Sequence, residues 1–194
     1  MFKIETRAAL PAREIKRAPL ALQRIDAQGL FEGYASLFGV ADLGRDIVLP
    51  GAFKKTLVRR DARQIKMLWQ HKASEPIGTW MVVKEDSRGL HVIGRLNLDV
   101  SRAREVYSLM KEGAVDGLSI GFRAAKALRD KSSGLRRLAE IDLWEISLVT
   151  FPMLPQARVK AVKAHSGAYG LALRASWSAR ADALSRELAL AHSF

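Results

Sequence analysis

The sequence predicts an α+β fold that is mostly antiparallel β, with a barrel-like β core and a few surrounding helices. Short apolar runs with strand character follow one another closely between residues 30 and 150. Few helical patterns separate these runs, and turn residues such as glycine and proline lie between them. Sequential strands with few intervening helices favour an antiparallel sheet or barrel over a doubly wound parallel sheet.

Strand patterns account for most of the predicted elements. A glycine within residues 30–38 predicts a bulge in the first strand, and residues 84–88 are expected to join two strands as a hairpin. Proline and glycine predict turns at residues 50–51 and 73–76. In chain order, the predicted strands cover residues 30–38, 47–49, 65–69, 77–83, 89–98, 117–123 and 138–150.

Two helices are predicted among the strands. Apolar residues four positions apart predict the first, at residues 52–60, directly after the proline-glycine turn. The second covers residues 102–111, where Asp99 or Ser101 is expected to cap its first turn and Gly113 to end it. Both helices are short enough to flank the β core without separating its strands.

The chain is expected to divide into four parts. A basic segment at residues 1–27 precedes a folded domain at 28–160, and a linker rich in alanine and glycine at 161–170 leads to an amphipathic helix at 171–194. The 194 residues suit one domain of ordinary size with a tail. Trp177 on the last helix predicts that this helix docks on the body or on a partner.

Composition excludes several classes of chemistry. The chain contains no cysteine, which excludes disulfides, thiolate zinc sites and a cysteine nucleophile. The four histidines lack metal-ligand spacing with carboxylates, so neither a metal nor a cofactor is expected. The first seven residues contain no apolar h-region, and no apolar run reaches the roughly 18 residues of a membrane span. We therefore expect a soluble intracellular protein without a membrane partner.

The net charge is strongly positive, at +12 with a pI near 10.4. Such a charge suits nucleic-acid binding, and a nucleic-acid-binding barrel is one alternative. However, the basic residues are dispersed and no recognised nucleic-acid module accompanies them. Specific nucleic-acid recognition is therefore not expected, and the charge points instead to an acidic environment or acidic partners.

Three polar residues stand out because each lies in an apolar, strand-like run. His71 follows residues 65–70 and precedes a predicted turn, which would hold an imidazole on a rigid element yet open to substrate. Glu145 interrupts an apolar run, where a carboxylate is costly to bury without a partner such as an imidazole N–H or an arginine. With Ser119, these residues offer the base, carboxylate and nucleophile of a serine hydrolase.

Ser119 lies on a predicted strand whose two faces differ. Strand alternation directs three apolar residues to the core, while the opposite face carries small residues around the serine and then a cation. The glycines would let a substrate peptide approach closely, although they would also relieve crowding around a structural serine in a barrel wall. The candidate substrate-binding residues on this face are Gly117, Gly121 and Arg123.

The same strand also matches a different hydrolase motif. Residues 117–121 read Gly-Leu-Ser-Ile-Gly, which fits the G-x-S-x-G nucleophile elbow of α/β-hydrolases. That elbow follows a buried apolar strand, whereas residues 111–116 read as a helix end and a turn. The chain also lacks alternating βα units, so the elbow interpretation is weaker.

Four segments together resemble a known family. They are Gly-Arg-Asp-Ile-Val-Leu-Pro-Gly-Ala-Phe at residues 44–53, Leu-Trp-Gln-His at 68–71, Leu-Ser-Ile-Gly-Phe at 118–122 and Glu-Ile-Ser-Leu-Val-Thr at 145–150. In this order they resemble the prohead proteases of tailed phages and phage-derived particles, serine peptidases related in fold to herpesvirus assemblins. The resemblance covers roughly residues 28–160. One departure is Pro-Met-Leu-Pro-Gln-Ala, from residue 152, where the family usually has Pro-Ala-Asn-Pro-x-Ala.

The resemblance implies a function that the residues alone do not supply. It implies a herpesvirus-protease-like fold and an endopeptidase with Ser119 as nucleophile, His71 as base and Glu145 as the third member. Its substrates would be the major capsid protein and scaffold segments, and also the protease itself, inside an immature capsid in the bacterial cytoplasm. Weak self-association would suffice at the concentration inside a shell. The alternative from another class is a non-catalytic capsid-assembly or scaffold-binding protein on the same fold.

Overall fold

The computed structural model describes residues 25–160. The predictions made for most of the basic segment, for the linker and for the terminal amphipathic helix therefore lie outside the described residues. Within them, one helix, α1, covers Lys54–Arg59 and another, α2, covers Ser101–Glu112, with a 3₁₀ turn at Ala62–Gln64. The strands are β1 Leu30–Leu37, β2 Asp46–Val48, β3 Lys66–Trp69, β4 Lys72–Glu85, β5 Gly89–Leu96, β6 Gly117–Arg129, β7 Arg136–Val149 and β8 Val159–Lys160.

The strands form one eight-stranded sheet that curls into a half-barrel. Its order is β2-β7-β3-β4-β5-β1-β8, and β6 pairs with the second edge of β7. A bridge between Gly117 and Arg158 brings the start of β6 to the segment before β8. Most neighbours are antiparallel, and β7 is parallel to both β2 and β3. The predicted class, mostly antiparallel and barrel-like with few helices, is confirmed.

Large apolar side chains fill the space inside the curled sheet. Trp80 of β4 and Phe31 of β1 are fully buried and meet edge to face, with ring centroids 5.6 Å apart. The helix α2 buries Val106 and Met110, which lie one turn apart on one of its faces. Within residues 25–160, no helix has both the length and the apolar character needed to cross a membrane.

Most predicted elements are confirmed, but the turn after β3 lies elsewhere. The turn predicted at residues 73–76 is wrong, because β4 begins at Lys72 and runs through this stretch. The chain reverses instead at Gln70 and His71, which connect β3 to β4. Pro76 fits within β4 because the ladder between β3 and β4 is irregular there, and a bulge tolerates a residue without an N–H.

Two smaller predictions also need correction. The irregularity of β1 falls between Tyr34 and Ser36 rather than at Gly33. The glycine is required for another reason, since a Cβ there would lie only 2.5 Å from the carbonyl oxygen of Arg158. Neither predicted residue caps α2, because Val100 occupies the cap without a side-chain hydrogen bond. The end of α2 is confirmed, as Gly113 follows it in the left-handed conformation.

Candidate active site

His71 lies in the two-residue turn between β3 and β4. Both turn residues have positive φ, 51° at Gln70 and 59° at His71, as a tight hairpin turn of type I′ requires. Neither residue is a glycine, so this turn needs support from its surroundings. The support comes from β7, where Leu148 O accepts the Gln70 N–H at 3.0 Å and Ser147 Oγ accepts the His71 N–H at 3.1 Å.

The parallel pairing of β3 with β7 explains how the turn reaches Glu145. Lys66 at the start of β3 is level with Glu145, and Trp69 at its end is level with Leu148. The chain then folds back at the turn, so His71 lies beside Glu145 and Ser147 in the C-terminal part of β7. On the other side of β7, β6 is antiparallel and places Ser119 opposite Ser147. The turn after β3 and the strands β6 and β7, distant in sequence, therefore bring one side chain each to the same place.

The imidazole of His71 joins the other two predicted site residues. Its Nε2 lies 3.0 Å from Ser119 Oγ, and its Nδ1 lies 2.6 Å from Glu145 Oε1. A carboxylate can only accept a hydrogen bond, so the Nδ1 proton points to Glu145 and Nε2 is left to accept the serine O–H. The side chain of His71 is 42% exposed and that of Glu145 is 13% exposed. A substrate can therefore reach the imidazole, while the carboxylate is largely shielded from solvent.

Ser147 is a site residue that the sequence reasoning missed. This fully buried serine donates its hydroxyl hydrogen to Glu145 Oε2 at 2.6 Å, while its oxygen accepts the His71 N–H. The hydroxyl thus fixes the carboxylate and the turn that carries the imidazole. A signal was present in the sequence, since residues two apart on a strand share a face and Ser147 follows Glu145 at that spacing.

Electrostatics favour the protonated form of the His71 imidazole. The hydrogen bond that His71 donates to Glu145 raises the pKa of His71, partial burial opposes this rise, and the charge of the carboxylate adds to it. The net effect is a pKa above the ordinary value, so the imidazole is a stronger base than a free one. Such an arrangement can accept a proton from Ser119 and return it to a leaving group.

The other predicted site residues have neighbours within the protein. A Cβ at Gly117 would lie 2.5 Å from the carbonyl oxygen of Val149 and 2.8 Å from Pro152, so the backbone packs closely there. Arg123 is exposed, and its guanidinium lies 3.7 Å from Asp142. Contact of these residues with a substrate, and of Gly121 likewise, stays a prediction.

The remaining described histidine lies apart from this group. His91 of β5 packs edge to face on Tyr34 at 5.3 Å, and its Nδ1 has no hydrogen-bond partner. Burial lowers the pKa of His91, in contrast to His71. In the part of the chain that the structure describes, no cluster of histidine and carboxylate ligands is arranged for a metal ion. His165 and His192 lie outside the described residues.

Comparisons with known proteins give the class and the family. A family model described as caudovirus prohead serine protease matches residues 18–170, which is more than half of the chain. The matched family is a class of serine proteases. The chain belongs to this prohead serine protease family of tailed phages.

A curated relative is consistent with this assignment. The prohead protease of Enterobacteria phage HK97 is 42% identical over 142 residues, which cover 72% of this chain. The match spans 63% of that relative, so the chain accounts for less than two thirds of its length.

A solved structure shows a similar fold at low sequence identity. The bacteriophage T4 capsid assembly protease, gp21, aligns with a TM-score of 0.54 at 11% identity, covering 62% of this chain and 80% of the T4 chain. This likeness supports the fold alone. The KSHV protease, in complex with a hexapeptide phosphonate inhibitor, aligns with a TM-score of 0.49 at 14% identity, covering 68% and 64% of the two chains.

Proposed function

We propose that this chain is an endopeptidase that cuts scaffold and major capsid protein segments during prohead maturation, with Ser119, His71 and Glu145 as its catalytic triad. The observation that carries the proposal is the position of the imidazole, which hydrogen-bonds Ser119 with one nitrogen and Glu145 with the other. Membership of the prohead serine protease family is consistent with this chemistry.

The proposed reaction is acyl transfer through Ser119. His71 Nε2 takes the hydroxyl proton as Ser119 Oγ attacks the peptide carbonyl, and the resulting imidazolium gives that proton to the leaving amine. Water then attacks the acyl carbon while His71 takes one of its protons. The bond between the acyl carbon and Ser119 Oγ breaks, His71 returns the proton to Oγ, and the acyl group leaves as a carboxylic acid. Glu145 keeps the Nδ1 proton in place and stabilises the imidazolium at each step.

The free edge of β6 is suited to an extended substrate. One edge of β6 pairs with β7 along its length. On the other edge, the main-chain pairing found in residues 25–160 lies near the start of β6, in the Gly117–Arg158 bridge and the hydrogen bond from the Leu118 N–H to Ala157 O. A substrate strand that pairs with the remaining edge would pass Ser119, with main-chain hydrogen bonds for affinity.

Capsid and scaffold segments are the proposed partners. The matched family is named for the prohead, and the T4 neighbour is a capsid assembly protease, so action inside an immature capsid in a bacterial host follows by analogy. The net charge of +12 suits acidic partners in this compartment. Self-cleavage and weak self-association belong to the same proposal, since a shell keeps the protease concentrated.

The test is co-expression with the major capsid protein of the same particle. Intact mass should show a shortened capsid protein, or a shortened protease, with the wild type and not with Ser119→Ala. Ser132→Ala, in the exposed loop after β6, is the matched serine control and should behave as the wild type. Equal masses with wild type and Ser119→Ala would contradict the protease proposal and favour the non-catalytic assembly role.

A further inference from the structure

A pocket opens beside Ser119 between β1 and β6. Its volume is about 240 Å³, below the roughly 300–1,000 Å³ that hold drug-sized ligands, so it suits a single side chain. Its walls are mostly apolar and include Leu37, Leu118, Phe122 and Leu154. Because Ser119 also lines it, this pocket is next to the proposed nucleophile.

The pocket lies where a substrate strand would direct every second side chain. Leu118 and Ile120 line the pocket, whereas Ser119 between them directs its hydroxyl to His71 on the opposite face of β6. A strand added to the free edge of β6 alternates its side chains between the same two faces. A residue whose carbonyl meets Ser119 can therefore point its side chain away from His71 and into the pocket.

The ionisable groups of the pocket leave one negative charge. Arg136 donates two parallel hydrogen bonds to the carboxylate of Asp46, 2.7 Å for the Nε–Oδ1 bond, so this pair is neutral overall. Asp42, the third ionisable group, accepts the Asp46 N–H at 2.8 Å through Oδ1. Among residues 25–160 it forms no ion pair, and Arg136 acts on it only at longer range.

Asp42 would gain from a cation in the pocket. Partial burial raises the pKa of its carboxyl, because removal of water opposes the charged form. A basic side chain would offset that loss of solvation, and its methylene groups would cover the apolar walls on the way. An uncharged side chain of the same length would cover the apolar walls but leave the carboxylate of Asp42 without a counter-charge.

We propose that this pocket receives the substrate side chain that precedes the cleaved bond, and that Asp42 selects lysine or arginine there. The inference rests on the proposed peptidase function and adds a substrate class to it. Asp42 is assigned as a specificity-determining residue, separate from the chemistry at Ser119. The Asp46–Arg136 pair would hold the loop of Asp42 in place, because Asp46 both donates to Asp42 and pairs with Arg136.

The first test reads the cleavage sites directly. The full-length protein is incubated with peptides from a bacterial lysate, prepared with a glutamate-specific protease so that internal lysine and arginine remain. The cuts of interest are those made by the wild type and not by Ser119→Ala. At these cuts, the residue before the cleaved bond should be lysine or arginine several-fold more often than any other residue. Termini without this preference would overturn the pocket assignment and leave the peptidase proposal intact.

The second test isolates the charge at Asp42. Two synthetic peptides copy a cleaved sequence and differ only in lysine or norleucine before the bond. Wild type should favour lysine about tenfold or more in kcat/KM, as expected for one charged hydrogen bond. Asp42→Asn keeps the Oδ1 acceptor for Asp46 and should bring the ratio close to one. Asp99→Asn, which removes an exposed carboxylate outside the pocket, should keep the wild-type ratio.

The outcomes separate the two proposals. A ratio near one in wild type, or an unchanged ratio in Asp42→Asn, overturns the role of Asp42 while cleavage itself persists. If Asp42→Asn fails to fold, the wild-type ratio decides alone. No cleavage that depends on Ser119 in either test would overturn the peptidase function, and this inference with it.

Discussion

Glu145 lies directly across the β6–β7 ladder from Gly121, and its carboxylate occupies the space where a side chain at position 121 would begin. A Cβ built on Gly121 would overlap Glu145 Oε1 and lie 2.6 Å from Cδ. The same oxygen accepts the Nδ1–H of His71. The glycine is therefore what allows the carboxylate to lie flat over β6 and meet the imidazole.

Gly121→Ala is expected to disable the site while the half-barrel still folds. The added methyl group must displace the carboxylate by an ångström or more, and a shift of that size can lower turnover about 10²-fold. The pKa of His71 should fall as well, because its hydrogen bond to Glu145 raises it. Peptidase assays and an NMR titration of His71 check both effects. Wild-type turnover in a folded Gly121→Ala protein would show that Glu145 does not need its present position.

Glu145→Gln tests the charge of the carboxylate at nearly constant shape. The neutral amide cannot stabilise the imidazolium, and its NH₂ group can drive the imidazole into the wrong tautomer. We expect kcat to fall about 10⁴-fold with little change in KM, as for loss of the acidic member of other triads. Steady-state kinetics measure this. Glu140→Gln is the matched control, since Glu140 lies on the same strand but pairs with Lys55 outside the site. Turnover within a few-fold of wild type would make Glu145 structural.

Local sequence patterns predicted the strands well because burial controls them. Leu118 and Ile120 alternate with Ser119, and this period of two predicts the two faces of β6. The turn at Gln70 and His71 could not be predicted in the same way. Neither residue is a glycine or an asparagine, and the turn is held by Ser147 and Leu148, which lie more than 70 residues further along the chain.

The candidate site was partly predictable for the same reason. His71, Ser119 and Glu145 were conspicuous because each is a polar side chain in an apolar run, where burial costs free energy unless the side chain has a hydrogen-bond partner. Ser147 was inconspicuous, since burying a serine in a strand costs little free energy once its hydroxyl is hydrogen-bonded. Its role depends on the parallel pairing of β3 with β7, which no local pattern indicates.

The pH dependence of cleavage should report the raised pKa of His71. The imidazole acts as a base only when neutral, so kcat/KM should rise with pH through a midpoint above 6.5, the ordinary value. The contribution of His71 to the free energy of unfolding should change with pH in the opposite direction. A raised pKa stabilises the folded protein at low pH, and this contribution is lost as pH rises through the folded-state pKa. Glu145→Gln should move the midpoint down. A wild-type midpoint at or below 6.5 would contradict the hydrogen bond as the dominant influence.

Ser147→Ala separates a positioning role from a structural one. The change removes the donor to Glu145 Oε2 and leaves the His71 N–H without its acceptor, so the imidazole loses its fixed position. We expect kcat to fall about tenfold to hundredfold, the worth of one or two hydrogen bonds to charged groups. The free energy of unfolding should fall by about 1–3 kcal/mol, because the site is buried. Urea unfolding and steady-state kinetics measure the two quantities.

The buried hydroxyl of Thr56 provides the matched control for Ser147. Its Oγ1 donates to Ile141 O at 2.7 Å and accepts the Leu143 N–H at 3.2 Å, so it also donates one hydrogen bond and accepts one, where α1 meets β7. Thr56→Val should therefore lose a similar free energy of unfolding and keep the wild-type kcat and the wild-type midpoint of the pH profile. Ser147→Ala should lower kcat and shift that midpoint, since it alone loosens the carboxylate that sets the pKa of His71. Equal kinetic losses in both variants would show that a general loss of stability, and not the position of Glu145, explains the effect of Ser147.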